Sequence, residues 1–216
     1  QRLVFTGGRA GEPGLSVFWQ KADGSGEPEL LVGGGEEKHP GSFTPDGSGL
    51  LYAGGAGDEW EIWLKSLSGK DDPRLILKGD SDDPVVSPDG RLIAYESGET
   101  GEIEIFLRSF PGLEGKTQVS AGGGRRPRWS RDGRELFYRS GDRFFSVRVS
   151  PLPQFEVGAP KLLFEVPGIR GYDVVPEGNG IFAVWRPPDS GIQRELKLVV
   201  NWFDELERLA PPGKKR

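Results

Sequence analysis

Few residues in this chain could carry reaction chemistry, and each is weighed against its neighbours. His39 is the only histidine, so a Ser-His-Asp hydrolase would have to use it. No Gly-x-Ser-x-Gly elbow accompanies it, and its setting is a polar connecting stretch. Gly115-Lys116-Thr117 matches the end of a phosphate-binding loop, yet Phe110 stands where that motif needs its first glycine, and strand-like sequence follows. The carboxylates of Asp71-Asp72 and Asp80-Ser81-Asp82-Asp83 offer oxygen ligands at alternating positions but lack the glycine and distal glutamate of a calcium loop. They read as solvated turns, so neither a metal nor another cofactor is expected. Cysteine is absent, which removes thiol catalysis, disulfides and zinc-thiolate sites. There is no Gly-rich loop ahead of a Val-Ala-Ile-Lys strand, no His-Arg-Asp loop and no Asp-Phe-Gly, so kinase chemistry has no seat here. No catalytic residue is assigned.

The elements that must position any remaining site follow from repetition. The 216 residues include 34 Gly and 18 Pro, a density of backbone punctuation that suits many short strands and excludes a helical bundle. No apolar run approaches the ~18 residues of a spanning helix. The net charge of -5 argues against nucleic acid as the partner. Residues 1–100 carry 9 basic against 18 acidic side chains and residues 101–216 carry 19 against 15, so charge is segregated along the chain. Three segments align without a gap: Phe43–Tyr52, Val86–Tyr95 and Trp129–Tyr138. Their aspartates Asp46, Asp89 and Asp132 lie 43 and 43 residues apart, and Glu61-Ile62-Trp63-Leu64 precedes Glu104-Ile105-Phe106-Leu107 by the same 43. A period of about 40–45 residues holding several short strands is the pattern of propeller blades.

Within each unit, Ser87-Pro88-Asp89-Gly90 shows the logic. Pro88 presets its backbone angle, Asp89 accepts local amide hydrogen bonds, and Gly90 takes a positive φ that closes a hairpin. The fold class expected is all-β: a β-propeller of four-stranded antiparallel blades, about five of them recognisable. The expected division is a partial blade at 1–32, blades at 41–77, 83–120 and 126–164, a partial blade at 171–200, and a C-terminal helix and tail at 201–216. Trp202–Leu209 is the expected helix, capped by Asn201. The chain has no Met and starts inside a repeat at Gln1, so it is read as an N-terminally truncated piece of a longer polypeptide. Trp60, Trp63, Trp129 and Trp185 are expected to pack blades together.

The three aligned segments, each followed by a Glu-Ile-Trp-Leu or Glu-Ile-Phe-Leu strand, resemble the WD40-like repeats of TolB-type β-propellers. Leu198–Leu206 and Phe155–Phe164 are similar to the end of propellers that follow a serine/threonine protein kinase domain in many bacterial proteins. Arg131, where the pattern has proline, and the drifted turn at Glu177-Gly178 depart from it. The resemblance implies an extracytoplasmic, non-catalytic sensing or protein-binding module attached to a kinase through a membrane segment, as the C-terminal part of a bacterial serine/threonine kinase-like receptor. The alternatives kept beside it are a substrate-filtering propeller of a prolyl-oligopeptidase-type hydrolase and a free-standing periplasmic TolB-like adaptor.

In a propeller, the connection from the outer strand of one blade to the inner strand of the next runs over one face toward the central channel. Those connections, 33–42, 79–84, 121–128 and 167–172, place Lys38 and His39, then Asp82 and Asp83, then Arg125, Arg126 and Arg128, then Arg170 and Tyr172 around one rim. A concave mouth with an acidic and a basic sector suits a protein or peptide segment, or a small carboxylated ligand held by the arginines. Reversing the charge of Arg125 and Arg126 is expected to weaken partner capture without lowering thermal stability.

Overall fold

The computed structural model describes residues 2–9, 11–57, 59–69, 71–150, 155–174 and 181–185. Strands β1 (Arg2–Gly7), β2 (Ser16–Lys21) and β3 (Glu29–Val32) form a three-stranded sheet. A four-stranded sheet follows in the order β4 (Glu37–Phe43), β5 (Gly49–Ala56), β6 (Glu59–Ser66) and β7 (Arg74–Leu77). The next repeats it with β8 (Ser81–Val86), β9 (Leu92–Ser97), β10 (Glu104–Ser109) and β11 (Thr117–Gln118). In the fourth sheet β12 (Arg125–Trp129), β13 (Glu135–Ser140) and β14 (Arg143–Ser150) meander, and both β15 (Glu156–Val157) and β16 (Lys161–Glu165) pair with β14. Strands β17 (Ile169–Val174) and β18 (Ile181–Trp185) form a last pair. Every pairing is antiparallel, and no helix occurs among the described residues. The helix expected at Trp202–Leu209 and the stretch 186–200 lie outside the described residues.

The hairpin turns repeat atom for atom. Gly47, Gly90 and Gly133 hold φ of 70°, 75° and 69°, a region that favours glycine. Their N–H groups donate to the carbonyls of Thr44, Ser87 and Ser130 at 2.8, 2.9 and 3.0 Å. Asp46, Asp89 and Asp132 each accept from the hydroxyl of that same Thr or Ser at 2.5, 2.6 and 2.7 Å. Asp46 also accepts from the Ser48 hydroxyl at 2.8 Å and the Ser48 N–H at 3.1 Å, and the bonds from Thr44 and Ser48 together hold its carboxyl down to about 2. The hydroxyls in turn accept an N–H from Gly49, Leu92 and Glu135, each at 2.9 Å. This closed set fixes where the second strand of each blade starts.

The core lies between sheets. Leu51, Ile62 and Ile76 of the second sheet pack on Val86, Ile93 and Tyr95 of the third. Ile105, Leu107 and Val119 of the third meet Trp129, Leu136 and Val147 of the fourth. Val17 and Val32 meet Leu50 and Tyr52, while Phe137 and Phe144 meet Ile169 and Tyr172. Strands buried on both faces read as continuous apolar runs, as in Leu92–Tyr95, the apolar part of a strand buried throughout. The result is a β-propeller arrangement in which first strands β4, β8, β12 and β17 are successive neighbours.

Candidate functional site

The first strands begin earlier than the turn motif suggests. Lys38 and His39 lie on β4, Asp82 and Asp83 on β8, Arg125, Arg126 and Arg128 on β12, and Arg170 and Tyr172 on β17, on strands rather than in the connecting loops that the sequence reading gave them. Each of these strands carries a register shift there, between Pro40 and Phe43, Asp82 and Val85, Arg125 and Arg128, and Ile169 and Gly171. The bulges break side-chain alternation, so the charged residues read as loop. Asp83 and Arg126, one repeat apart, occupy the bulges with φ of 46° and 57°.

His39, Asp82 and Arg125 hold the same position in three successive repeats, and two of them touch: His39 Nδ1 lies 3.5 Å from Asp82 Oδ2. His39 also stacks on Trp60 with ring centroids 4.5 Å apart and has Glu37 at 3.9 Å. The Asp82 hydrogen bond, opposed by burial and helped by the charges of Asp82, Glu37 and Asp83, raises the imidazole pKa above its ordinary value. One position on, Arg128 Nη1 donates to Asp83 Oδ1 at 3.2 Å and Arg128 Nε lies 3.8 Å from Asp173 Oδ1. Burial opposes the Arg128 charge, but Asp83, Tyr172 and Asp173 outweigh it and raise its pKa. The buried Tyr172 hydroxyl donates to the Arg126 carbonyl, and burial pushes its pKa far up. Inner strands are therefore stitched to one another by side chains that each reach into the next blade.

Glu96 and Arg139 complete this layer, and the sequence reading missed both. They lie 43 residues apart on the second strands β9 and β13, at the repeat position where the second sheet has Ala53. Glu96 is 5% exposed. It accepts from Arg126 N–H at 2.7 Å and from Arg125 Nη1 at 3.3 Å. Burial first, then the charges of Asp83 and Asp82, outweigh these donors and push its carboxyl up to about 7. Arg139 Nη1 donates to the Ile169 carbonyl at 2.7 Å. A charge following the apolar runs Leu92–Tyr95 and Leu136–Tyr138 was the available signal.

Not every expected residue joins. Lys38 is 8% exposed, and its Nζ donates to the carbonyls of Gly34 and Glu36, so it clasps the β3–β4 connection. The side chains of Arg170 and Trp185 lie outside the described residues. Trp129 and Trp63 pack between blades, whereas Trp60 stacks on His39 at the rim. Asp82 and Asp83 are engaged with His39 and Arg128, and among the described residues no three His, Cys, Asp or Glu side chains converge as a metal site. No helix among them is long and apolar enough to cross a membrane.

No protein-family profile and no curated protein matches the chain by sequence. Solved structures do. TolB from Acinetobacter baumannii superposes with a TM-score of 0.70 at 20% identity, over 91% of this chain and 49% of that one. A TolB from Agrobacterium tumefaciens gives 0.56 at 20% identity, over 70% of this chain and 57% of that one. One of two prolyl endopeptidases gives 0.52 at 17% identity, over 92% of this chain and 35% of that one. This chain thus spans about half the length of the TolB chains, and the likeness, at these identities, is one of fold: the chain is built as TolB-type and other β-propellers are.

Proposed function

We propose that this chain is a non-catalytic recognition module that binds a protein or peptide segment at the rim formed by the first halves of β4, β8, β12 and β17. One observation carries the reading: charged side chains from successive first strands hold one another across blade boundaries, as the His39–Asp82 and Arg128–Asp83 contacts do. Such preorganised, complementary charge favours selective encounter. The fuller reading places the module in the C-terminal part of a bacterial serine/threonine kinase-like receptor, on the extracytoplasmic side. Its support is the sequence resemblance of Phe155–Phe164 and Leu198–Leu206, the latter outside the described residues. The TolB likeness favours a free-standing adaptor instead, and the prolyl endopeptidase likeness a substrate-filtering propeller of a hydrolase. Kinase motifs and a membrane span encoded upstream of Gln1 support the receptor; a signal peptide alone supports the adaptor, and a hydrolase domain in the same frame supports the filter.

Peptides selected by display on the immobilised chain, followed by amide hydrogen exchange of the complex, test the rim. Protection is expected at residues 37–40, 81–84 and 125–128. Protection confined to β7, β11 and β16 overturns the proposal.

A further inference from the structure

Arg125, Arg126 and Arg139 come together where β12 meets β13. Arg125 lies directly opposite Arg139 in the strand register, a like-charge pair that weakens a sheet. Arg126 sits at φ 57°, a conformation that a long side chain rarely adopts. Its backbone is clamped from both sides: its N–H donates to Glu96 Oε1 at 2.7 Å, and its carbonyl accepts from the Tyr172 hydroxyl. The clamp holds the strained residue in place and leaves its side chain exposed. Strain kept by two buried partners is characteristic of functional positions.

The local charges do not balance. Asp83 and Asp173 are engaged by Arg128, and Asp82 by His39. Glu96 spends both oxygens on β12. Against Glu96, and Asp142 near Arg139, stand three guanidinium groups. Arg139 donates to a backbone carbonyl, and among the described residues the Arg126 guanidinium has no hydrogen-bond or ion-pair partner. Burial first, and then the nearby Arg126 and Arg125 charges, pull the Arg139 pKa down against the opposing pull of Tyr172 and Asp142. The cluster already holds one carboxylate of its own chain, that of Glu96, through Arg125.

We propose that Arg125, Arg126 and Arg139 form an anion site at the channel mouth that takes the carboxylates of an acidic peptide segment. This rests on the recognition reading above and names the chemistry of its partner. Guanidinium forks suit carboxylate oxygens in geometry as well as charge, and Arg126 is the arm free to close on the ligand.

The test uses the 216-residue chain and three labelled peptides of equal length, alternating Ser-Glu, Ser-Gln and Ser-Lys, followed by fluorescence anisotropy at low and physiological salt. The Ser-Glu peptide is expected to bind, more weakly as salt rises, and the other two not to. Arg126→Gln and Arg139→Gln are each expected to weaken binding roughly tenfold, the size of one charge-assisted hydrogen bond. Lys161→Gln, on the exposed outer strand β16, is expected to leave it unchanged. Arg126→Gln should keep the thermal midpoint of the parent chain, which separates lost binding from lost folding. Equal binding of Ser-Glu and Ser-Gln peptides overturns the anion site while leaving rim recognition standing. Unchanged affinity in Arg126→Gln, or no binding of the Ser-Glu peptide, also overturns it. Inorganic phosphate that displaces the Ser-Glu peptide at equal concentration overturns the carboxylate assignment in favour of phosphate.

Discussion

Glu96 carries a conflict between a side chain and its surroundings that bears on stability near neutral pH. β9 buries it, β8 sets Asp83 and Asp82 nearby, and β12 offers the Arg126 N–H and the Arg125 guanidinium, and the balance leaves its carboxyl at about 7. The native chain therefore holds a proton there that the unfolded chain has released, between the unfolded value of 4.5 and about 7. Stability falls as pH rises through that window and is flat beyond it. His39 adds to the trend, because its raised pKa stabilises the native state below 6.5 and that contribution is lost as pH rises through the folded value. The chain should be more stable at about pH 5 than at mildly alkaline pH, while in stronger acid the lowered carboxyls of Asp46 and Asp132 act in the opposite direction. Glu96→Gln, which keeps an acceptor for Arg126 N–H, should raise stability at mildly alkaline pH by on the order of 2 kcal/mol and flatten the profile. Urea midpoints across the pH range measure this; a variant with the parent's slope would show that Glu96 does not set it. At this scale the sequence was legible where charge stood in apparent loops and silent where charge lay within strands. It also treated Arg125 and Arg126 as equivalent. The structure separates them: Arg125→Glu would confront the buried Glu96, so it should lower stability, while Arg126 offers the cleaner probe.

The hairpin turn is the element most fully written in the sequence. A hydroxyl, an aspartate and a glycine at fixed spacing close their own hydrogen-bond set, so local chemistry specifies local shape with no help from the rest of the chain. Successive turns also interlock: a Cβ at Gly133 would lie 3.4 Å from Pro88 Cδ, and one at Gly90 3.7 Å from Pro45 Cγ. Gly133→Ala should cost about 1–2 kcal/mol, chiefly from the φ of 69°. Asp89→Ala should cost about 1 kcal/mol, because the Ser87 hydroxyl and the Arg91 N–H lose their acceptor. Chemical denaturation distinguishes these from a substitution at Gly8, which has no positive φ and nothing within 4 Å of an added Cβ. A Gly133→Ala variant as stable as the parent would remove the strain argument. The first strands were less legible because bulges at Asp83 and Arg126 interrupt the alternation by which a strand is recognised. Their fold depends on contacts one repeat away, which no local window contains.

At the scale of the molecule, stability resides in the joins between blades. Each core cluster draws side chains from two successive sheets, so no sheet carries a complete core of its own. The same joins set the spacing of the inner strands and therefore the geometry of the rim. At Gly41, β4 lies hard against β8: a Cβ there would sit 2.3 Å from the Pro84 carbonyl oxygen and 2.6 Å from Pro84 Cγ. Pro84 is itself fully buried, and a backbone oxygen cannot rotate away, so Gly41→Ala must part the two strands. That parting would stretch the Val86 N–H to Ser42 Oγ hydrogen bond of 2.9 Å and the His39–Asp82 contact of 3.5 Å. The expected cost is about 2–3 kcal/mol, with amide exchange accelerated in β4 and β8 together, whereas Gly35→Ala, with nothing within 4 Å of the new methyl, should change little. Leu107→Ala, at a fully buried site between the third and fourth sheets, should cost about 2–5 kcal/mol through its cavity. The two variants separate the roles of the join: Leu107→Ala should weaken folding with the rim intact, while Gly41→Ala should weaken folding and displace His39 from Asp82. If exchange in Gly41→Ala rose in β4 alone, the inner strands would be held independently, and the rim would have to be built blade by blade rather than across blades.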